Sequence, residues 1–104
     1  MDTKKVRKYD IVDTIYSETN IDKRIVQISI DYFLTLLKDS LKKGYTIELR
    51  GFGTFEPRLR KGKSKARNPK SGETVVVDPH YVAAFRPGLD LKKSLWKIPV
   101  NEEK

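Results

Sequence analysis

"GFGTFEPRLRKGKSKARNPKSGE", Gly51 to Glu73, is the stretch on which the fold turns. Before it, Ile47 and Leu49 alternate with Thr46, Glu48 and Arg50, as in a strand with one buried face. Gly51 and Gly53 flank Phe52 and interrupt that alternation, which calls for a tight turn or a bulge. Phe52 and Phe55 are expected in the core. Beyond Pro57 the apolar residues nearly vanish, leaving Leu59 and Ala66 before Val75. Thr74 to Val77 then resumes strand-like composition. Between the two strand segments, Asn68-Pro69-Lys70-Ser71-Gly72 has the chemistry of a turn: proline brings a preset φ to the second position, and glycine can take a positive φ further on. The segment reads as a long hairpin, an arm at about 57–77. A two-stranded ribbon with no apolar face is marginal in water, so this arm should gain order from something outside it.

Charge says what that something is. Of the chain's net charge of +8, all but +2 lies in the 15 residues from Glu56 to Lys70, where seven cations face Glu56 alone. A field so concentrated points to a polyanionic partner. The plain alternative is a solvated run of surface charge.

Either side of the strand, the pattern is helical. Ile11, Val12, Ile15 and Tyr16 recur at spacings of three and four, and Thr19-Asn20 ends the series. Thr3 suits the cap of that helix, with a start between Lys4 and Lys8. Asp22 suits the cap of a second helix, which Gly44 closes after Lys42 and Lys43. On this second helix Gln27, Asp31, Thr35, Lys38 and Lys42 form one narrow polar stripe, and nearly everything else from Ile25 to Leu41 is apolar. An ordinary surface helix has a far narrower apolar stripe. In 104 residues too little chain is left to cover it, so a second copy is the simplest cover. Downstream, Asp78-Pro79 makes a break and Tyr81 to Phe85 can form a final strand. A short helix follows, with Leu91, Leu95 and Ile98 on one face and Pro99 as its stop. Trp96 is expected in the core, and His80 at a strand end or on the surface.

Several function classes are excluded or disfavoured. There is no cysteine, hence no disulfide framework and no thiolate site. One histidine and scattered carboxylates give no cluster for a nuclease's metal ions, and Gly51-Phe52-Gly53 lacks the flanks of a nucleotide loop. We expect no enzyme, no catalytic residue, no metal and no cofactor. The longest apolar run is five residues, Tyr81 to Phe85, so neither a membrane span nor a signal peptide is expected. One domain over residues 1–104 follows from the length.

Gly51 to Glu73, with GFGTF joined to RNP and then SGE, resembles the HU and integration host factor family of bacterial histone-like proteins. "FRPGLDLKKSL", Phe85 to Leu95, is similar to that family's junction between last strand and last helix, and the resemblance covers roughly Arg7 to Lys97. It implies an α+β intertwined dimer: two N-terminal helices per chain, a small antiparallel sheet with a protruding β-arm, and a short C-terminal helix. It also implies a function, the wrapping and sharp bending of duplex DNA, and a cytoplasmic, nucleoid-associated location. Partners would be double-stranded DNA, bent or flexible sites preferred, and a second copy of the chain or a close relative of it; no membrane or small-molecule substrate is implied.

Carried over residue by residue, the resemblance makes Pro69 the wedge that enters between base pairs and puts Arg67 and Asn68 beside it in the minor groove, with Arg58 and Arg60 further down the arm. Lys61, Lys63, Lys65 and Lys70 become arm contacts to phosphate, with Arg86 a further one. Leu89 and Asp90 stand where family members often place a lysine near the last helix, and Lys92, Lys93 and the helix N-terminal amides are the expected substitutes for that contact. Arg50 is either an added phosphate contact or an exposed strand residue. Lys4, Lys5, Arg7 and Lys8 form a second basic cluster, able to reach flanking DNA or simply solvated. Two departures stand out. Eleven residues separate Phe55 from Arg67, one more than the family pattern, and Ala66 replaces its usual glycine. The arm is therefore expected to carry a bulge. A basic RNA-binding module and a dimeric scaffold are the alternatives; an RNA reader would want exposed aromatics on the arm, which has none from Pro57 to Val77.

Overall fold

The computed structural model describes residues 4–100, without the side chains of residues 64–66. Thr3, considered as a cap, lies outside the described residues. In order the elements are α1 (Lys8–Thr19), α2 (Lys23–Lys42), β1 (Ile47–Leu49), β2 (Gly53–Arg60), β3 (Lys63–Arg67), β4 (Thr74–Val77), β5 (His80–Pro87) and α3 (Leu89–Trp96). This is the α+β order expected.

Local chemistry sets the helix ends. Arg7 stands at the cap of α1 and offers no acceptor; instead the Asp10 carboxylate accepts from the Arg7 N–H at 2.9 Å, half of a capping box. Asn20 ends the helix in the left-handed region, at φ 62°. Asp22 begins α2 by accepting from the Arg24 N–H at 2.8 Å. Gly44, at φ 84°, turns the chain away after Lys43. Exposed ion pairs, Lys8 with Asp31 and Lys23 with Asp13, link α1 to α2.

Packing within one chain is thin. Val12 of α1 and Val26 of α2 are the buried hydrophobics among the described residues. Ile25, Ile28, Tyr32, Phe33, Leu34 and Leu36 of α2 all stand exposed, Tyr32 by 65%. At about 25 cal/mol per Å² of apolar surface, leaving such a helix in water forfeits most of the drive to fold. Two core expectations need correction. Trp96 is 79% exposed. It lies five residues past the half-buried Leu91, about 140° round the helix, and so points away from the body. Phe52 is also exposed, although its ring centroid lies 5.2 Å from Phe85 and 6.5 Å from Phe55.

The sheet has order β1-β2-β5, all antiparallel. Gly51, at φ 85°, makes the β1–β2 turn. At Gly53 a β-carbon would fall 2.5 Å from the Phe85 ring and 2.6 Å from the Arg86 carbonyl oxygen, so only glycine fits there. β1 covers β2 only as far as Phe55, so Pro57 sits where β2 has a neighbour on one side alone, a position a residue without an N–H tolerates. α2 packs on β1 and β2, and α3 on β5.

The arm is built in two stages. Pro57–Arg60 continue the body sheet, paired with His80–Ala83; β3 and β4 then form a separate two-stranded piece. At the joint, Lys61-Gly62 faces Asp78-Pro79 and strand structure lapses on both sides. The register nevertheless carries straight across, since Arg60 pairs with His80 and Lys63 with Val77, three residues further on each strand. The radius of gyration is 18.8 Å, well above the roughly 13 Å of a compact chain this long. The arm protrudes.

Gly62 holds the joint shut. A β-carbon there would land on the Val77 carbonyl oxygen and lie 2.8 Å from the Pro79 nitrogen, both backbone atoms that cannot swing aside. Gly62→Ala should force the strands apart at a cost of about 1–3 kcal/mol locally. Amide exchange is the check: Val75–Val77 should lose protection while the α1 and α2 amides keep theirs.

Candidate nucleic-acid interface

Pairing decides which face each arm and sheet residue occupies, because side chains alternate along a strand and directly paired residues share a face. Phe55, Pro57 and Leu59 pair with Phe85, Ala83 and Tyr81, and Ile47 pairs with Phe55. The Phe55 and Phe85 rings stand 4.7 Å apart. Ile47 shares a groove with Phe33, Leu36 and Leu37 of α2, and Pro57 and Tyr81 share another with Leu41 and Lys42. This is the helix-side face.

The opposite face looks to solvent. It carries Thr54, Glu56, Arg58 and Arg60 of β2, paired with Arg86, Ala84, Val82 and His80 of β5. Glu56 is the pivot: its carboxylate accepts from Arg58 Nη2 at 3.0 Å and from Arg86 Nη2 at 3.1 Å. The Arg58 hydrogen bond first, then the charge of Arg86, hold the Glu56 carboxyl below its usual range, against partial desolvation that pushes the other way. These pairs sit at the surface and contribute little to stability. Their effect is on geometry, since two long arginine side chains on the same face are held to one carboxylate.

The expected bulge is present and has a function in register. Lys63 pairs with Val77 and Ala66 with Val75, so β3 spends three residues where β4 spends two. Arg67 pairs with Thr74. Counting back along β4 and β5 by twos, Thr74 and Val76 share the face of His80 and Val82. The bulge therefore keeps Arg67 on the face of Arg58 and Arg60, despite the additional residue that a regular ladder would have turned into a flip. Pairing also gives the ribbon something composition concealed: Leu59, Tyr81, Val77 and Val75 follow one another along the helix-side face. The ribbon does have an apolar strip.

At the tip, Asn68 organises the turn. Its N–H donates to the Glu73 carbonyl at 2.7 Å, its carbonyl accepts from the Gly72 N–H at 2.7 Å, and its side-chain oxygen accepts from the Lys70 N–H at 2.9 Å. Ser71 Oγ accepts from the Glu73 N–H, and Gly72 takes φ 76°. Pro69 has no N–H to satisfy, and its ring is exposed at the end of the arm.

The remaining candidates are dispersed. Lys63 is on the helix-side face, Lys61 in the joint and Lys70 in the tip turn; the side chain of Lys65 lies outside the described residues. Arg50 is exposed in the β1–β2 turn rather than in a strand. Lys92 and Lys93 are exposed on α3, and Lys4, Lys5 and Arg7 on the lead-in to α1, while Lys8 is engaged with Asp31. His80 is at a strand end and exposed, as expected, but the sequence reading placed neither it on the arginine face nor Glu56 as a clamp. Both have the same parity as Arg58 and Arg60 in a strand pair, a signal readable only once the register is known. Among the described residues no cluster of three potential metal ligands occurs.

A solvent-facing row of arginines, continued up a protruding ribbon to an exposed proline, can lie along an anionic groove. Residues 6–95 match the family model described as "Bacterial DNA-binding protein". The chain belongs to that family. Integration host factor subunit alpha from Xanthomonas campestris and from Xanthomonas oryzae are each 36% identical to it over 86 residues, 83% of this chain and 86% of theirs. Among solved structures, an Anabaena HU in a cocrystal with DNA is similar at a TM-score of 0.79 and 26% identity, covering 90% of this chain and 100% of that one. A mutant HU from Thermotoga maritima gives 0.63 at 26% identity, over 86% and 99% of the two chains. Members of the HU and integration host factor family are architectural, non-enzymatic DNA-binding and DNA-bending proteins that form dimers.

Within that family the Glu56 clamp has a measurable consequence. Glu56→Gln removes one negative charge from the arginine face and frees Arg58 and Arg86, so duplex affinity should rise several-fold at low salt, with the gain fading as salt screens it. Acid should mimic the substitution. Because the folded-state value is depressed below 4.5, the ion pairs persist above the ordinary carboxylate range and are lost as pH falls through the lowered value. Fluorescence anisotropy on a labelled duplex reads both effects.

Proposed function

We propose that residues 1–104 form a single DNA-binding domain that works as a dimer of two copies, wrapping duplex DNA around its sheet face and bending it sharply with the two arms. The observation that carries this reading is the placement of Arg58, Arg60, Arg67 and Arg86 on one face, leading to the exposed Pro69. The dimer rests on the uncovered apolar face of α2. A second helix pair laid against it would supply the core that one chain lacks.

In this reading Arg67 and Asn68 sit in the minor groove with Arg58 and Arg60 below them, where negative potential favours guanidinium groups. Lys61, Lys63, Lys65, Lys70, Arg50, Arg86, Lys92 and Lys93 meet phosphates, and Lys4, Lys5, Arg7 and Lys8 reach the flanks. Pro69 is the wedge. Its ring is compact and rigid, so it can replace the stacking between two base pairs with little loss of conformational entropy. Unstacking costs a few kcal/mol per step, offset by the extra cationic surface a bent duplex touches; HU and integration host factor are themselves the proteins for which this wedge mechanism is described. Sequence preference then comes from how easily a site bends. The location that goes with this role is the cytoplasm, on the nucleoid; no helix among the described residues is long and apolar enough to cross a membrane.

The decisive measurement is affinity against salt. For duplex DNA, log K should fall with log salt at about 0.9 per neutralised phosphate, and two arms with a sheet face predict on the order of ten phosphates. A slope near zero, or equal affinity for RNA, removes the reading. Prebent or nicked duplexes should bind more tightly than straight ones.

Pro69→Ala separates wedge from turn. The Asn68 hydrogen bonds that form the turn do not need the proline ring. Bending, measured by energy transfer between labelled duplex ends, should therefore drop much more than affinity. Equal losses in both would assign Pro69 to the turn alone.

A further inference from the structure

His80 is the chain's single histidine, and it stands on the arginine face at the base of the arm. Arg60 is its direct partner across the strand pair, and Arg58 lies diagonally beyond. Lys61 and Asp78, both of the joint, are the other charged residues beside it; Glu56 is further along the same face, engaged by Arg58 and Arg86. Among the described ion pairs none joins Asp78 to the ring. The His80 side chain is exposed, and its Nδ1 lies 2.9 Å from the Asp78 carbonyl oxygen.

That contact, made as a hydrogen bond, selects one tautomer. A carbonyl oxygen only accepts, so Nδ1 carries a proton, and in the neutral ring Nε2 is left as an acceptor. An acceptor facing a phosphate oxygen makes no hydrogen bond. Once Nε2 is protonated the same atom becomes a cationic donor, and a charge-assisted bond to phosphate forms with no movement of the backbone. Imidazole is the side chain whose ordinary titration falls between pH 5 and 8. We infer that His80 is a proton-dependent phosphate contact at the root of each arm, so that the chain takes up protons as it binds duplex DNA and grips more tightly as pH falls. This rests on the architectural reading above, and gives the arginine face one member whose charge is set by the medium.

The test uses the full chain, a nicked duplex and constant salt, with affinity measured from about pH 8 to about pH 5.5. Wild-type affinity should rise about tenfold for each arm engaged, about a hundredfold for the dimer over that range, on the scale of one charge-assisted hydrogen bond per accessible site. His80→Gln should show a flat profile near the alkaline value, and His80→Lys a flat profile near the acidic one. Calorimetry in buffers of different ionisation enthalpy should find proton uptake for the wild type and none for His80→Gln. Circular dichroism of each variant confirms that the fold is retained. If wild type and His80→Gln change alike with pH, or if the wild type binds tightly with a flat profile, this inference is overturned and the DNA-binding reading stands. No duplex binding at any pH overturns both.

Discussion

The structure depends on a shortage of interior. A helix that is apolar around most of its circumference cannot be covered by three short strands and two small helices, and among the described residues Val12 and Val26 are the buried hydrophobics. Small domains sit close to the limit at which burial offsets chain entropy. Here the shortfall becomes the basis of assembly, because surface left open on one chain is the surface a second chain needs. Folding and pairing are then one event. The strands, freed from providing a core on both faces, can give one face to the helices and the other to solvent.

That second face holds the chemistry, and alternation along β2 and β5 makes it possible. Arg58 and Arg60 share one face of β2, while Phe55, Pro57 and Leu59 occupy the other. Glu56 sits among the arginines as an internal counterion, accepting from two of them.

Much of this was legible beforehand. The helix ends at Asn20, Asp22 and Gly44 follow from capping chemistry, and the tip from the turn residues Asn68 to Gly72. The bulge was readable from the one surplus residue between Phe55 and Arg67. What could not be read was pairing. Composition showed an arm poor in apolar residues, whereas register lines up Leu59, Tyr81, Val77 and Val75 into a strip. Likewise the places of Glu56 and His80 on the arginine face follow only from pairing, which sets His80 opposite Arg60 and Glu56 diagonal to Arg86. Trp96 misled because size argues for burial, but α3 is too short to bury more than the side that carries Leu91.

The joint at Gly62 and Pro79 has a mechanical meaning. Ladder bonding lapses there, so the ribbon can pivot, yet its register is the same above and below, so neither strand can slide past the other. A linkage of that kind transmits length but not angle. Whatever the angle at the joint, the residues that face one another along the ribbon, Lys63 with Val77 and Arg67 with Thr74, stay the same.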